Sequence, residues 1–181
     1  MRSLLALGLV AASLATAAQI PRPAGPLSFT TPAGQNINLA DYKGKVVVVE
    51  ILSTTCPHCQ SSARTLSRIR KSVGTRDFEV LGMAINPDAN IPDFIRNFSV
   101  DFPVGQGKRD DAYSFLQISV MSPFYFPQMV FIDRQGNIRA QYGGTDSFFQ
   151  GNEEANIRGQ VDRLLKEPGA KPVQRSSKKA S

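Results

Sequence analysis

The chain has two cysteines and one histidine, and all three fall within the four residues Cys56-Pro57-His58-Cys59. Two residues between the sulfurs let them close as a small disulfide and reopen, so the chemistry they suggest is thiol-disulfide exchange. The thiolate is the attacking species, and the partial positive charge of a helix N-terminus stabilises it. Cys56 is therefore the expected attacking thiol, and Cys59, one turn into a helix and on its apolar side, the expected resolving thiol.

The same count removes most competing chemistry. A structural zinc site needs further ligands, a Cys-His or Ser-His-acid triad needs a histidine elsewhere, and haem attachment needs histidine at residue 60, which is Gln60. A purely structural disulfide is the bland alternative, but a four-residue loop restrains the unfolded chain very little. Cu(I) delivery by two soft thiolates is a different class of function, with no methionine or histidine cluster beside it. No cofactor is implied.

Two neighbours could tune the dithiol. His58 is either incidental or lowers the Cys56 pKa and favours the reduced form. Glu50 sits inside the apolar run Val46 to Leu52, on the face shared by Val48 and Leu52. Either an unseen lysine or arginine pairs with it, or burial raises its pKa and it exchanges a proton with Cys59 through water.

The elements that must position these groups are legible around them. Lys45 to Leu52 is β-branched and continuous, as in a strand buried on both faces. Pro57 suits the first turn of a helix in which Ala63, Leu66, Ile69 and Val73 recur at helical spacing. Arg68, Arg70 and Lys71 fall in its last turns, and Gly74 can close it. Leu27 to Leu39, broken by Thr31-Pro32-Ala33-Gly34, reads as a short hairpin.

Further strands are expected over Phe78 to Ile85, Phe102 to Val104 and Met129 to Ile132, the last turning at Asp133 to Gly136 into Asn137 to Tyr142. Helices are expected around Ile91 to Phe98, Asp110 to Leu116 and Ile157 to Leu164. Gly105-Gln-Gly-Lys108 lacks the remainder of a phosphate loop and reads as a turn. The alternation indicates a layered α/β domain with a central mixed sheet flanked by helices and an N-terminal hairpin extension.

With 181 residues, 41% of them hydrophobic and 20% charged, the chain suits one domain with tails. Arg2, the apolar run Leu4 to Leu14 and Ala15-Thr16-Ala17 form a secretory-signal pattern over residues 1–17. That run is about half the roughly 20 residues of a membrane-spanning helix, so the expected product is exported, periplasmic and without an integral membrane segment. Residues 18–24 read as an extended lead-in, 25–166 as the domain and 167–181 as a basic, disordered tail. Of the formal charge of +6, Arg2 holds one and the tail a net three, leaving two for the body. A body that near neutral offers no phosphate-tracking surface, so no nucleic-acid partner is expected.

Three segments taken together resemble the TlpA-like thiol-disulfide oxidoreductase branch of the thioredoxin superfamily, relatives of the peroxiredoxin-like proteins. They are Leu39 to Glu50, Cys56 to Cys59, and Phe126-Pro127 through Gly136, and the resemblance covers roughly residues 25–166. It implies a thioredoxin-like fold, protein thiols or disulfides as substrates, and a redox partner protein. It also implies a cis bond before Pro127, with the backbone of Phe126 pairing with an extended substrate segment. The family usually has Trp before the first cysteine; this chain has Thr55 and no tryptophan, and Phe124, Tyr125 and Phe126 are either a replacement apolar patch or core. A peroxidase of the related type would carry proline at residue 49, which is Val49.

Overall fold

The computed structural model describes residues 19–168. The expected signal segment 1–17 and all but the first two residues of the expected tail therefore lie outside the described residues. Eight strands form one mixed sheet: β1 (Arg22–Pro23), β2 (Ser28–Thr30), β3 (Asn36–Asn38), β4 (Val46–Leu52), β5 (Phe78–Ala84), β6 (Val104–Gln106), β7 (Gln128–Ile132) and β8 (Asn137–Tyr142). Four helices join them: α1 (Pro57–Val73), α2 (Ile91–Phe98), α3 (Arg109–Leu116) and α4 (Glu153–Lys166).

The strand order is β1-β8-β7-β4-β5-β6-β2-β3, which puts β4 in the interior of the sheet. It runs parallel to β5 and antiparallel to β7. All seven β4 residues are buried, as a strand covered on both faces requires. Full burial of a Val or Leu is worth about 1.5 to 3 kcal/mol, so this strand is a rigid base for whatever follows it. Val46, Val48 and Leu52 face a core shared with Leu66 and Ile69 of α1, Phe94 of α2 and Ile157 and Val161 of α4. Val47, Val49 and Ile51 face a second core shared with Phe115 and Leu116 of α3 and with Phe29 and Ile37 of the β2–β3 hairpin. This is a thioredoxin-like α/β fold with an N-terminal hairpin added at one sheet edge.

The hairpin docks through β2 on β6. A Cβ at Gly105 would stand 2.4 Å from the Thr30 carbonyl oxygen, so the close approach of these edge strands needs glycine there.

The structure adds to or changes the local expectations at four points. The lead-in contains a short strand, β1, that pairs antiparallel with β8 at the opposite sheet edge. Arg22 is 8% exposed, and its Nη2 donates to the Phe115 and Leu116 carbonyls and to Gln141. Such bonds to the end of α3 lie more than 90 residues away and leave no local signal. Strand β6 begins at Val104 rather than Phe102, because Pro103 has no N–H and Phe102 is a buried anchor ahead of the ladder. Gly105 and Gln106 therefore belong to a strand and not to a turn. Glu167, at the start of the expected free tail, is docked instead: both its carboxyl oxygens accept from Arg139.

Candidate functional site

The β4-to-α1 junction places the two cysteines. After Leu52 the chain turns through Ser53, Thr54 and Thr55, and the Cys56 N–H donates to the Ser53 carbonyl at 3.1 Å. The turn is pinned from outside. The Thr54 N–H donates to Asn86 Oδ1 at 3.0 Å, Asn86 Nδ2 donates to Thr54 Oγ1 at 3.1 Å, and Gln60 Nε2 donates to the Thr54 carbonyl at 3.0 Å. Cys56 is the N-cap residue of α1, extended at φ −82° and ψ 120°, and Pro57 opens the helix. Gly74 closes it at φ 85°.

Both thiols are free; Cys56 is half-buried and Cys59 buried. The Cys59 thiol pushes the Cys56 pKa down most strongly by donating toward its sulfur, against a smaller upward push from burial. The N–H groups of Cys59 and His58 add to the depression from short of full hydrogen-bond geometry, and the His58 ring adds the smallest share. The result is a Cys56 pKa of about 5. Cys59 moves the other way: burial is the main cause, and donation to Cys56 and the negative charge of Glu50 reinforce it. The surroundings thus favour the ionised form of the Cys56 thiol and the protonated form of the Cys59 thiol.

Glu50 lies on the β4 face that looks toward Cys59, α1 and α4, fully buried. Neither carboxyl oxygen has a hydrogen-bond partner among the described residues, so the expectation of a pairing lysine or arginine is not met. Its pKa stands well above the usual carboxylate range, first through burial and then through the neighbouring charges of Glu153 and Cys56. His58 is exposed beside the dithiol and lines a cleft of about 180 Å³ with Ser61, Ser62, Phe149 and Glu153.

The register of β7 on β4, Ile51 opposite Gln128, sets Pro127 and Phe126 beside the turn that carries Cys56. The Phe126–Pro127 bond is cis. Pro127 is buried, while Phe126 is half-buried and borders the same core as Cys56. Phe124 packs on Phe126 at 5.0 Å between ring centroids, so these two rings are partly core, whereas Tyr125 is 52% exposed. A Cβ at Gly144 would stand 2.1 Å from the Phe126 carbonyl oxygen, so this glycine lets the chain after β8 press against the Phe126 backbone. Gln128 Nε2 donates to the Tyr125 carbonyl at 2.7 Å and steadies the same bend.

Sequence reasoning singled out the cysteines, Pro57, His58, Glu50, Phe126 and Pro127, and the structure gathers them at the C-terminal end of β4 and the start of β7. It missed Asn86, Gln60, Ser62, Glu153, Gly144 and Gln128. Asn86, directly after a strand, carried a weak signal; Ser62 and Glu153 meet only through tertiary packing, 91 residues apart.

Residues 20–141 match the sequence model of the AhpC/TSA family. A curated relative, the thiol-disulfide oxidoreductase ResA of Geobacillus thermodenitrificans, is 22% identical over 113 residues, and the match spans 62% of each chain. Among solved structures, a putative thiol:disulfide interchange protein DsbE from Chlorobium tepidum superposes with a TM-score of 0.68 at 17% identity, over 80% of this chain and 96% of that one. A thioredoxin family thiol:disulfide interchange protein from the same organism gives 0.68 at 24% identity, over 81% and 98%.

Proposed function

The chain belongs to the AhpC/TSA family, and from that premise we propose that it is an exported thiol-disulfide oxidoreductase that exchanges disulfides with protein substrates through Cys56 and Cys59. The observation that carries this reading is the placement of two free thiols at the start of α1, Cys56 half-buried at the N-cap and Cys59 buried one turn on, a placement that pushes the Cys56 pKa down to about 5 and the Cys59 pKa up. The names of the ResA and DsbE proteins it resembles support the same class of activity. Export rests on the pattern over residues 1–17, and no helix among the described residues is long and apolar enough to cross a membrane.

The Cys56 thiolate attacks one sulfur of a substrate disulfide. The other substrate sulfur leaves with the bonding electron pair, and a mixed disulfide forms. Cys59 gives its proton through water to the Glu50 carboxylate and attacks the Cys56 sulfur, and the second substrate sulfur departs as a thiolate. The protein now holds a Cys56–Cys59 disulfide, and the substrate has gained two electrons. Run backwards, the same steps oxidise a substrate dithiol, and the relative potentials of the two couples decide the direction.

Pro57 fixes the first helical turn under the sulfurs, and the His58 ring stands beside Cys56 and favours its thiolate slightly. The backbone of Phe126, bent ahead of Pro127, receives an extended substrate segment as an added strand. A redox partner protein resets the dithiol after each cycle.

Insulin reduction tests the assignment. Cys56→Ser abolishes turnover, and Cys59→Ser accumulates a mixed disulfide with substrate that thiol reductant releases. Full turnover by Cys56→Ser would refute the assignment. N-terminal sequencing of exported protein tests export, with a first residue at Ala18 expected.

A further inference from the structure

Glu50 poses a problem of proton exit. If it takes the Cys59 proton, that proton must leave before the next cycle, yet the carboxyl is fully buried and has no hydrogen-bond partner among the described residues. A route is visible on α1 and α4. Ser62 follows Cys59 by three residues, so both lie on the buried face of α1. The Ser62 hydroxyl donates to Glu153 Oε1 at the first turn of α4, and α4 packs on β4 as well as α1. Glu153 is half-buried and also lines the cleft shared with His58, Ser61 and Phe149. At about 180 Å³ and with polar walls, the cleft has room for water.

We infer that Glu153, held by Ser62, passes protons between the buried Glu50 carboxyl and solvent in the cleft beside His58.

The step is a proton transfer alone. Burial favours the protonated form of Glu50 at rest; it gives that proton through water to the Glu153 carboxylate, which gives it to the cleft, and the Glu50 carboxylate so formed takes the Cys59 proton as the disulfide closes; reduction reverses the path. The electrostatics fit the task. Burial raises the Glu153 pKa, while the Ser62 bond and the charges of His58 and Arg68 hold that rise in check. The charged groups facing Glu153 are His58 and Arg68 on α1 and Glu50 on β4; Arg68 is also paired with Glu154 at 2.7 Å. Two carboxyls with raised pKa values near each other resist simultaneous ionisation, and loading one eases release from the other.

This inference rests on the proton-accepting role of Glu50, and its test separates the two. Reduced full-length protein is mixed with 5,5′-dithiobis(2-nitrobenzoate). The first thionitrobenzoate released reports attack by Cys56, and the second reports Cys59 displacing the label from Cys56. Glu153→Gln is expected to leave the first release within about twofold and to slow the second at least about tenfold at pH 7. That second release becomes dependent on imidazole concentration, a small proton carrier to which the parent protein is indifferent. Glu50→Gln slows the second release too, and the double variant is no slower than Glu50→Gln alone. If Glu153→Gln does not fold, Ser62→Ala is expected to slow the second release in the same sense.

A normal, imidazole-independent second release in Glu153→Gln, or in Ser62→Ala if that variant is used, with Glu50→Gln slow, overturns the Glu153 role alone. A normal second release in Glu50→Gln overturns the Glu50 reading and this inference with it.

Discussion

Three buried acids among the described residues contrast the far end of the sheet with the end that carries the cysteines. Glu79, on β5, is held by Arg70 Nε at 2.5 Å and also accepts from the Val80 N–H. Asp133, after β7, accepts from the N–H groups of Gln135 and Asn137 and pairs with Arg139 at 3.0 Å. Glu50, on the strand between them, has no such partner among the described residues. Burial without pairing normally costs a protein stability, so an acid kept in that condition beside two thiols points to chemistry, while its paired counterparts point to architecture.

The sharpest way to break this contrast is to remove a paired acid. Glu79→Gln is expected to cost about 3 kcal/mol in denaturant unfolding, the low end for breaking a buried pair because Asp101 still shares the Arg70 guanidinium. Thiol exchange by the folded fraction is expected to remain intact. A loss below about 1 kcal/mol would mean that the pairing has little structural value.

Glu50→Gln is expected to act in the opposite sense, and its effect is smaller. The folded-state pKa of Glu50 is raised above its unfolded value, so its contribution is harmless below the ordinary carboxylate range and becomes destabilising as pH rises through and beyond it. Parent and variant should therefore unfold alike at pH 4, and the variant should be more stable by about 1 to 2 kcal/mol at pH 8. Equal stabilities at both pH values would indicate that Glu50 is satisfied after all.

The same contrast explains what was legible in the sequence. Continuous β-branched residues revealed β4, helical spacing and Pro57 revealed α1, and turn residues revealed the β2–β3 and β7–β8 hairpins, because each of these signals is local. The dithiol was legible by counting alone. The status of Glu50 was not, since an unpaired acid and a paired one read identically along a strand. Nor were Ser62 and Glu153, brought together by packing of α1 and α4, or β1, whose two residues hold no alternation and whose anchor, Arg22, reaches across the fold.

All of this depends on Cys56 being a thiolate at neutral pH, and the pH dependence of its alkylation by iodoacetamide in the fully reduced chain, with Cys59 intact, measures that state directly. The expected rate rises with a midpoint near pH 5 and is flat from about pH 6.5 through neutrality. A midpoint near the ordinary thiol value of about 8.5 would contradict the account.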